Sequence, residues 1–265
     1  MLYFSSLLDK NPTYKPAANR LFAALDSEGV EYRLLGDTRD IWLRDFMPIK
    51  TKSGKYVSFR YAPSYLRKEP ELRTDFRADI SPLLSLKVEY SHINLDGGNI
   101  VFSPSKEKAI ISDRVFSENP DYDTSILLNE LEHLLEAQII IIPSLKSDMT
   151  GHADGMVRFV NEKTVIGNDT PYINGFEQKV SRELKKHNIE TADFPYFSSP
   201  KISAVGCYLN FLEIDNVIFL PVFDSPLDEK AILTANQLFS KLIVPVNINE
   251  VAEFGGVLNC ISWEN

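Results

Sequence analysis

Branched apolar runs, polar turns and amphipathic stretches follow one another along this chain in an order that recurs about every 50 residues. One unit reads as a strand at 99–102, the turn SPSKEK, a strand at 109–112, a helix near 123–137 and a strand at 138–142. The next predicts strands at 156–160 and 164–167, a helix near 172–187 and a strand at 189–194. Another predicts strands at 207–213 and 216–221, a helix at 226–240 and a strand at 241–246. An earlier unit predicts strands at 47–51 and 56–61, a broken helix near 74–86 and a strand at 87–91. A fifth is split. Its hairpin starts in GGVLNCISW at the C-terminal end, while its helix (near 13–28) and its strand EYRLLG lie at the N-terminal end. Joining the two would close a ring and leave no exposed sheet edge there. The alternative is an ordinary open α/β sheet with coincidental spacing.

No Gly/Ser-rich or Pro-rich linker divides the chain, so 1–265 reads as one domain. Its 265 residues, 44% hydrophobic, suffice for a substantial core. The 28 basic and 37 acidic residues give a net charge of −9 and no basic block to track a phosphate backbone, which argues against nucleic acid. An acidic surface suits a cationic ligand. Two cysteines make no disulfide framework. The start MLYFSSLLDKNP has no leader pattern, and no stretch matches the roughly 18 apolar residues of a membrane span. The expectation is a cytoplasmic protein with free thiols.

The most unusual residues stand just before or at each hairpin: WLRD at 42–45, DGGN at 96–99, GHAD at 151–154 and GGVLNC at 255–260. In a ring these places face one axis, so the four motifs would meet. Alone, each has a bland reading. Cys260 fits a small buried apolar position, Asp45 a structural pair with Arg44, and DGG a turn. His152 and Asp154, two apart, would share a face if GHAD lay on or entered a strand. No second pair at metal-ligand spacing accompanies them, so no metal and no cofactor are expected. Cys207, in the apolar run CYLNFL, reads as core.

Together the segments DIWLRDFMPI, LDGGNI, GHADGMVRF, CYLNFLEIDNVIFLPVF and GGVLNCISW resemble, in order, the agmatine deiminase and bacterial-type peptidylarginine deiminase family of the guanidino-group-modifying superfamily. The resemblance implies a five-module ββαβ propeller with pseudo-fivefold symmetry, closed by the N- and C-terminal segments. It implies a cysteine-dependent hydrolase acting on C–N bonds of amidines, with Cys260 as nucleophile and His152 as general acid and base. Asp96 would orient or polarise His152, Asp45 and Asp154 would hold the guanidinium, and Trp42 would line the pocket. The implied reaction converts agmatine, a small cationic guanidino substrate, to N-carbamoylputrescine and ammonia, a step of putrescine formation. Alternatives are an arginine or peptidyl-arginine deiminase, an amidinotransferase, or a non-catalytic guanidino-binding protein. Arg60, Arg67 and Arg73 are candidates for the carboxylate site an arginine deiminase needs. Two departures stand out: Asn259 occupies the place of the family's usual His before the nucleophile, and the chain is shorter than typical members. A homo-oligomer is left open.

Overall fold

The computed structural model describes residues 1–170, 175–199 and 203–265. Among these residues the strands form five three-stranded sheets, and all five share one plan. In each, the middle strand pairs antiparallel with the strand on one side and parallel with the strand on the other. Four sheets are built from consecutive segments. For example, Ile100–Phe102, Lys108–Ser112 and Gln138–Ile142 form one, with the helix Thr124–Leu135 crossing between the parallel pair. A right-handed crossover helix is the ordinary way to join parallel neighbours.

The fifth sheet joins the two ends of the chain. Ser262–Glu264 runs antiparallel to Leu2–Ser5, which runs parallel to Tyr32–Leu35. The helix Lys15–Ser27 connects the latter two, completing the split unit read from the sequence. Trp263 donates from Nε1 to the Pro48 carbonyl at 2.7 Å, and Asn265 donates its backbone N–H to Met1 O at 3.0 Å. The five sheets and their repeated topology fit a pseudo-fivefold arrangement of a mixed α/β fold.

The helices form where apolar spacing allows one face to be buried. In Thr124–Leu135 the buried residues are Leu127, Leu131, Leu134 and Leu135, one stripe at helical period. Asp123 caps it, accepting from the backbone N–H of Ser125 and Ile126 at 2.8 and 3.1 Å. In Lys15–Ser27 the same logic buries Ala17, Ala18, Leu21 and Leu25.

Three local expectations need correction. The strand expected over 207–213 begins only at Leu212. Tyr208, Leu209 and Phe211 are fully buried and so read as a strand, but the Asn210 carbonyl accepts the backbone N–H of Asn259 and the preceding residues fold into turns. The broken helix near 74–86 is a π turn, Phe76–Ile80, followed by a 3-10 turn, Ser81–Leu83, whose Pro82 prevents longer helical pairing. The helix expected near 172–187 spans Phe176–Lys185, and residues 172–174 lie outside the described residues. Among the described residues no helix is long and apolar enough to cross a membrane.

Candidate active site

Three of the four motifs line one cavity of about 770 Å3, through Trp42, Asp45, His152, Asp154 and Cys260 among others, and the fourth packs behind it, Asp96 against His152. Asp45 stands on the single-turn helix Leu43–Phe46. Asp96 precedes the 3-10 turn Gly97–Asn99, and His152 precedes the 3-10 turn Ala153–Gly155. GHAD does not lie on a strand but enters one: the 3-10 turn leads into the strand Val157–Asn161 and brings His152 and Asp154 into the same site. Asn99 locks the two turns together, its Oδ1 accepting from Ser112 N at 2.9 Å and Ala153 N at 3.2 Å.

His152 lies between two carboxylates. Its Nε2 is 2.8 Å from Asp96 Oδ2, and its Nδ1 is 3.6 Å from Asp45 Oδ1. All three residues are buried. Asp96 also accepts from the Tyr65 hydroxyl at 2.9 Å, and Asp45 accepts the Gly98 N–H at 3.1 Å. Asp45 thus pairs with His152 and a backbone amide, and not with its neighbour Arg44. Gly98 is required for this packing, because a Cβ there would lie 2.6 Å from Asp45 Oδ1 and 2.7 Å from His152 Nδ1.

These contacts set the charges. Burial alone would push the His152 imidazolium down, but Asp45, the bond to Asp96 and the Asp154 carboxylate outweigh it and hold the group up at about 10. Burial pushes the Asp45 carboxyl above its ordinary value, against the pull of His152, and Asp96 and Asp154 add to the rise. A second cation beside these carboxylates would relieve that repulsion.

Cys260 sits in the turn just before the C-terminal strand, with its backbone held from two sides. Its carbonyl accepts Arg44 N–H at 3.0 Å, and the preceding Asn259 N–H donates to Asn210 O at 3.1 Å. The sulfur lies 3.2 Å from Asn210 Oδ1 and 3.8 Å from Asp154 Oδ2. Burial pushes the thiol well above its ordinary range; the Asp154 and Asp45 carboxylates push it further, and a Val257 backbone bond opposes them. Gly256 lets the Trp42 ring lie against this turn, since a Cβ there would strike the ring and come within 3.0 Å of Cys260 Cβ.

All six sequence-identified residues thus line or adjoin one site. Cys207 is buried in the core as expected and also borders the cavity, its sulfur 3.7 Å from Gly155 O. Arg60, Arg67 and Arg73 do not line the cavity, and Arg73 donates to the Leu66 carbonyl at 2.7 Å. Two contributors were missed. Tyr65 carries no sequence signal. Asn210 does, as a polar residue inside the apolar run YLNFL. Asn259 was noted only as a departure; its Nδ2 donates to Asp154 Oδ2 at 2.7 Å. Among the described residues no group of three or more His, Cys, Asp or Glu is arranged to hold a metal ion.

A family model described as Porphyromonas-type peptidyl-arginine deiminase matches residues 7–265. Comparison with curated proteins gives no match. Among solved structures, the agmatine deiminase of C. jejuni is similar at 20% identity and a TM-score of 0.77, covering 99% of this chain and 92% of that one. The agmatine deiminase of Enterococcus faecalis is similar at 15% identity and 0.78, with the same coverage. A DDAH of Pseudomonas aeruginosa, complexed with citrulline, is similar at 13% identity and 0.61, covering 98% of this chain and 97% of that one.

Proposed function

Because the chain belongs to the Porphyromonas-type peptidyl-arginine deiminase family, we propose that it is a cysteine-dependent hydrolase that deiminates a small guanidino compound, agmatine first. One catalytic domain, 1–265, carries the reaction on a five-module ββαβ propeller that the paired chain ends close. The observation that carries this reading is the convergence of a thiol, an imidazole and two carboxylates on one cavity, with a third carboxylate, Asp96, held against the imidazole from behind, so that four distant segments build one site.

A guanidinium is planar and cationic. Asp45 and Asp154 can accept its N–H groups with charge-assisted bonds and hold its carbon before the Cys260 sulfur. Trp42, pressed against the nucleophile's turn, provides a flat wall beside it. As the cation arrives, the thiol proton leaves to solvent and the thiolate attacks the guanidinium carbon. His152 Nε2 is held by Asp96, which leaves Nδ1, beside Asp45, to give a proton to the departing amine. Ammonia leaves, and a thiouronium remains on Cys260. Neutral His152 then takes a proton from water as it attacks, and collapse releases the ureido product and the sulfur.

The lining favours agmatine over arginine. Among the described residues no Lys or Arg lines the cavity, whereas Asp40, Glu69, Asp148, Glu177 and Asp193 do. Burial pushes the Asp40 carboxyl up to about 6. A second cationic end is welcome in such a cavity, and a substrate carboxylate would meet like charge everywhere but at the His152 imidazolium, which two carboxylates already hold. Agmatine, arginine and short arginine peptides should be assayed for ureido product and ammonia with no amine acceptor present. Agmatine is expected to be converted with a kcat/KM at least about 100-fold above that of arginine. A preference for arginine would overturn the substrate assignment, and product formation only after adding an amine would indicate amidino transfer.

A further inference from the structure

Asn210 is 2% exposed between Tyr208, Leu209 and Phe211, all fully buried, yet each of its polar groups is directed at the site. Its carbonyl fixes the Asn259 backbone, its Nδ2 donates to Asp154 O at 3.2 Å, and its Oδ1 faces Cys260 Sγ at 3.2 Å. The amide orientation is determined by chemistry. A flip would set Oδ1 against the Asp154 carbonyl, two acceptors facing each other. The group beside the sulfur is therefore an acceptor, which can bond to S–H and repels S⁻.

We propose that Asn210 is a positioning residue that holds the resting nucleophile as a neutral thiol, and couples it to the carboxylate clamp so that thiolate forms only when a guanidinium is bound. This rests on Cys260 being the nucleophile. The charged and titratable groups facing Cys260 are the carboxylates of Asp154 and Asp45, the thiol of Cys207, the Arg44 guanidinium and, in the same cavity, the His152 imidazolium. The carboxylates favour the thiol as Asn210 does, and the two cations work against them. Asn210 differs from the carboxylates in two respects: a bound guanidinium does not neutralise it, and its other end anchors Asp154. The free enzyme is thereby kept from reacting with adventitious electrophiles, and the substrate's own charge switches the nucleophile on.

The test is the pH dependence of Cys260 alkylation by iodoacetamide, read by peptide mass mapping so that Cys207 is scored separately. In the wild-type enzyme the midpoint is expected above the ordinary thiol value of about 8.5; a midpoint at or below that value overturns the proposal without any variant. In Asn210→Ala, and in the milder Asn210→Ser, loss of one acceptor is expected to lower the midpoint by about one pH unit. Alkylation at pH 8 should then be about tenfold faster. A purely structural role would lower turnover while leaving the midpoint in place, and that result in a variant with wild-type thermal stability also overturns the proposal. The titration needs no turnover. Failure of the deimination reading would appear separately, as absence of ureido product.

Discussion

Cys260→Ser is expected to lower kcat for agmatine by on the order of 10⁴-fold or more, while agmatine binds within about threefold of its wild-type affinity. The reasoning is geometric and electrostatic. The guanidinium would be gripped by Asp45 and Asp154, not by the sulfur, so the substitution leaves the binding groups in place. A hydroxyl, however, ionises far less readily than a thiol. It would also sit beside the Asp154 and Asp45 carboxylates, which oppose a negative charge at that position. The turn itself should survive, because it is held by backbone bonds from Arg44 and to Asn210 and not by the sulfur. Ammonia release under saturating substrate measures the first quantity and titration calorimetry the second. Loss of binding together with turnover would mean that the serine had disturbed the clamp.

Asp96→Asn is expected to lower kcat by about 10²- to 10⁴-fold and to move the alkaline limb of the pH–rate profile toward neutrality. In the proposed reaction the proton given to the departing amine resides on the His152 imidazolium. That form is present below the imidazolium's pKa and lost as pH rises through it. In the wild-type site the group is held up at about 10, so the acid persists across the neutral and mildly alkaline range. Burial works against the imidazolium throughout. With Asp96 neutral, Asp45 and Asp154 alone oppose burial, and the limb shifts down. The amide also offers Nε2 either a donor or an acceptor, so the ring orientation is less firmly set. A profile of kcat against pH for both proteins decides the matter. A uniform drop with an unmoved limb would show that Asp96 orients the ring without setting its charge.

The legible parts of the fold were those where burial follows a simple period. Ile139–Ile142 and Ile110–Ile111 lie in strands whose faces are covered, so branched runs reported them directly. The split fifth unit was visible because its helix and strand lacked a hairpin at one end of the chain and a hairpin lacked them at the other. Two segments departed from their strand-like pattern because their backbone serves the site. Cys207–Phe211 is as apolar as a strand, but its amides and carbonyls are turned toward Ala204, Gly206 and Asn259. GHAD has strand-like spacing, yet its backbone is needed in a turn that places His152 over Asp96 and Asp154 beside Cys260.

The site was legible to the same degree. Asp45, Asp96, His152, Asp154 and Cys260 stood out because each lies in a short motif just before or at a hairpin, and because the motifs together, in order, resemble one family. Asn210 was hidden by its apolar neighbours, although a buried amide there needed partners and found them in the Cys260 sulfur and the Asp154 carbonyl. Tyr65, which donates to Asp96 from the 3-10 turn Ser64–Leu66, has nothing in its surroundings to mark it.

The most direct measurement is acid quenching of the enzyme during agmatine turnover, followed by intact mass and peptide mapping. The expected result is a covalent adduct equal to substrate minus ammonia, located on Cys260, present only during turnover and absent from Cys260→Ser. Steady production of ureido product with Cys260 never modified, or an adduct on Cys207 instead, would contradict the account.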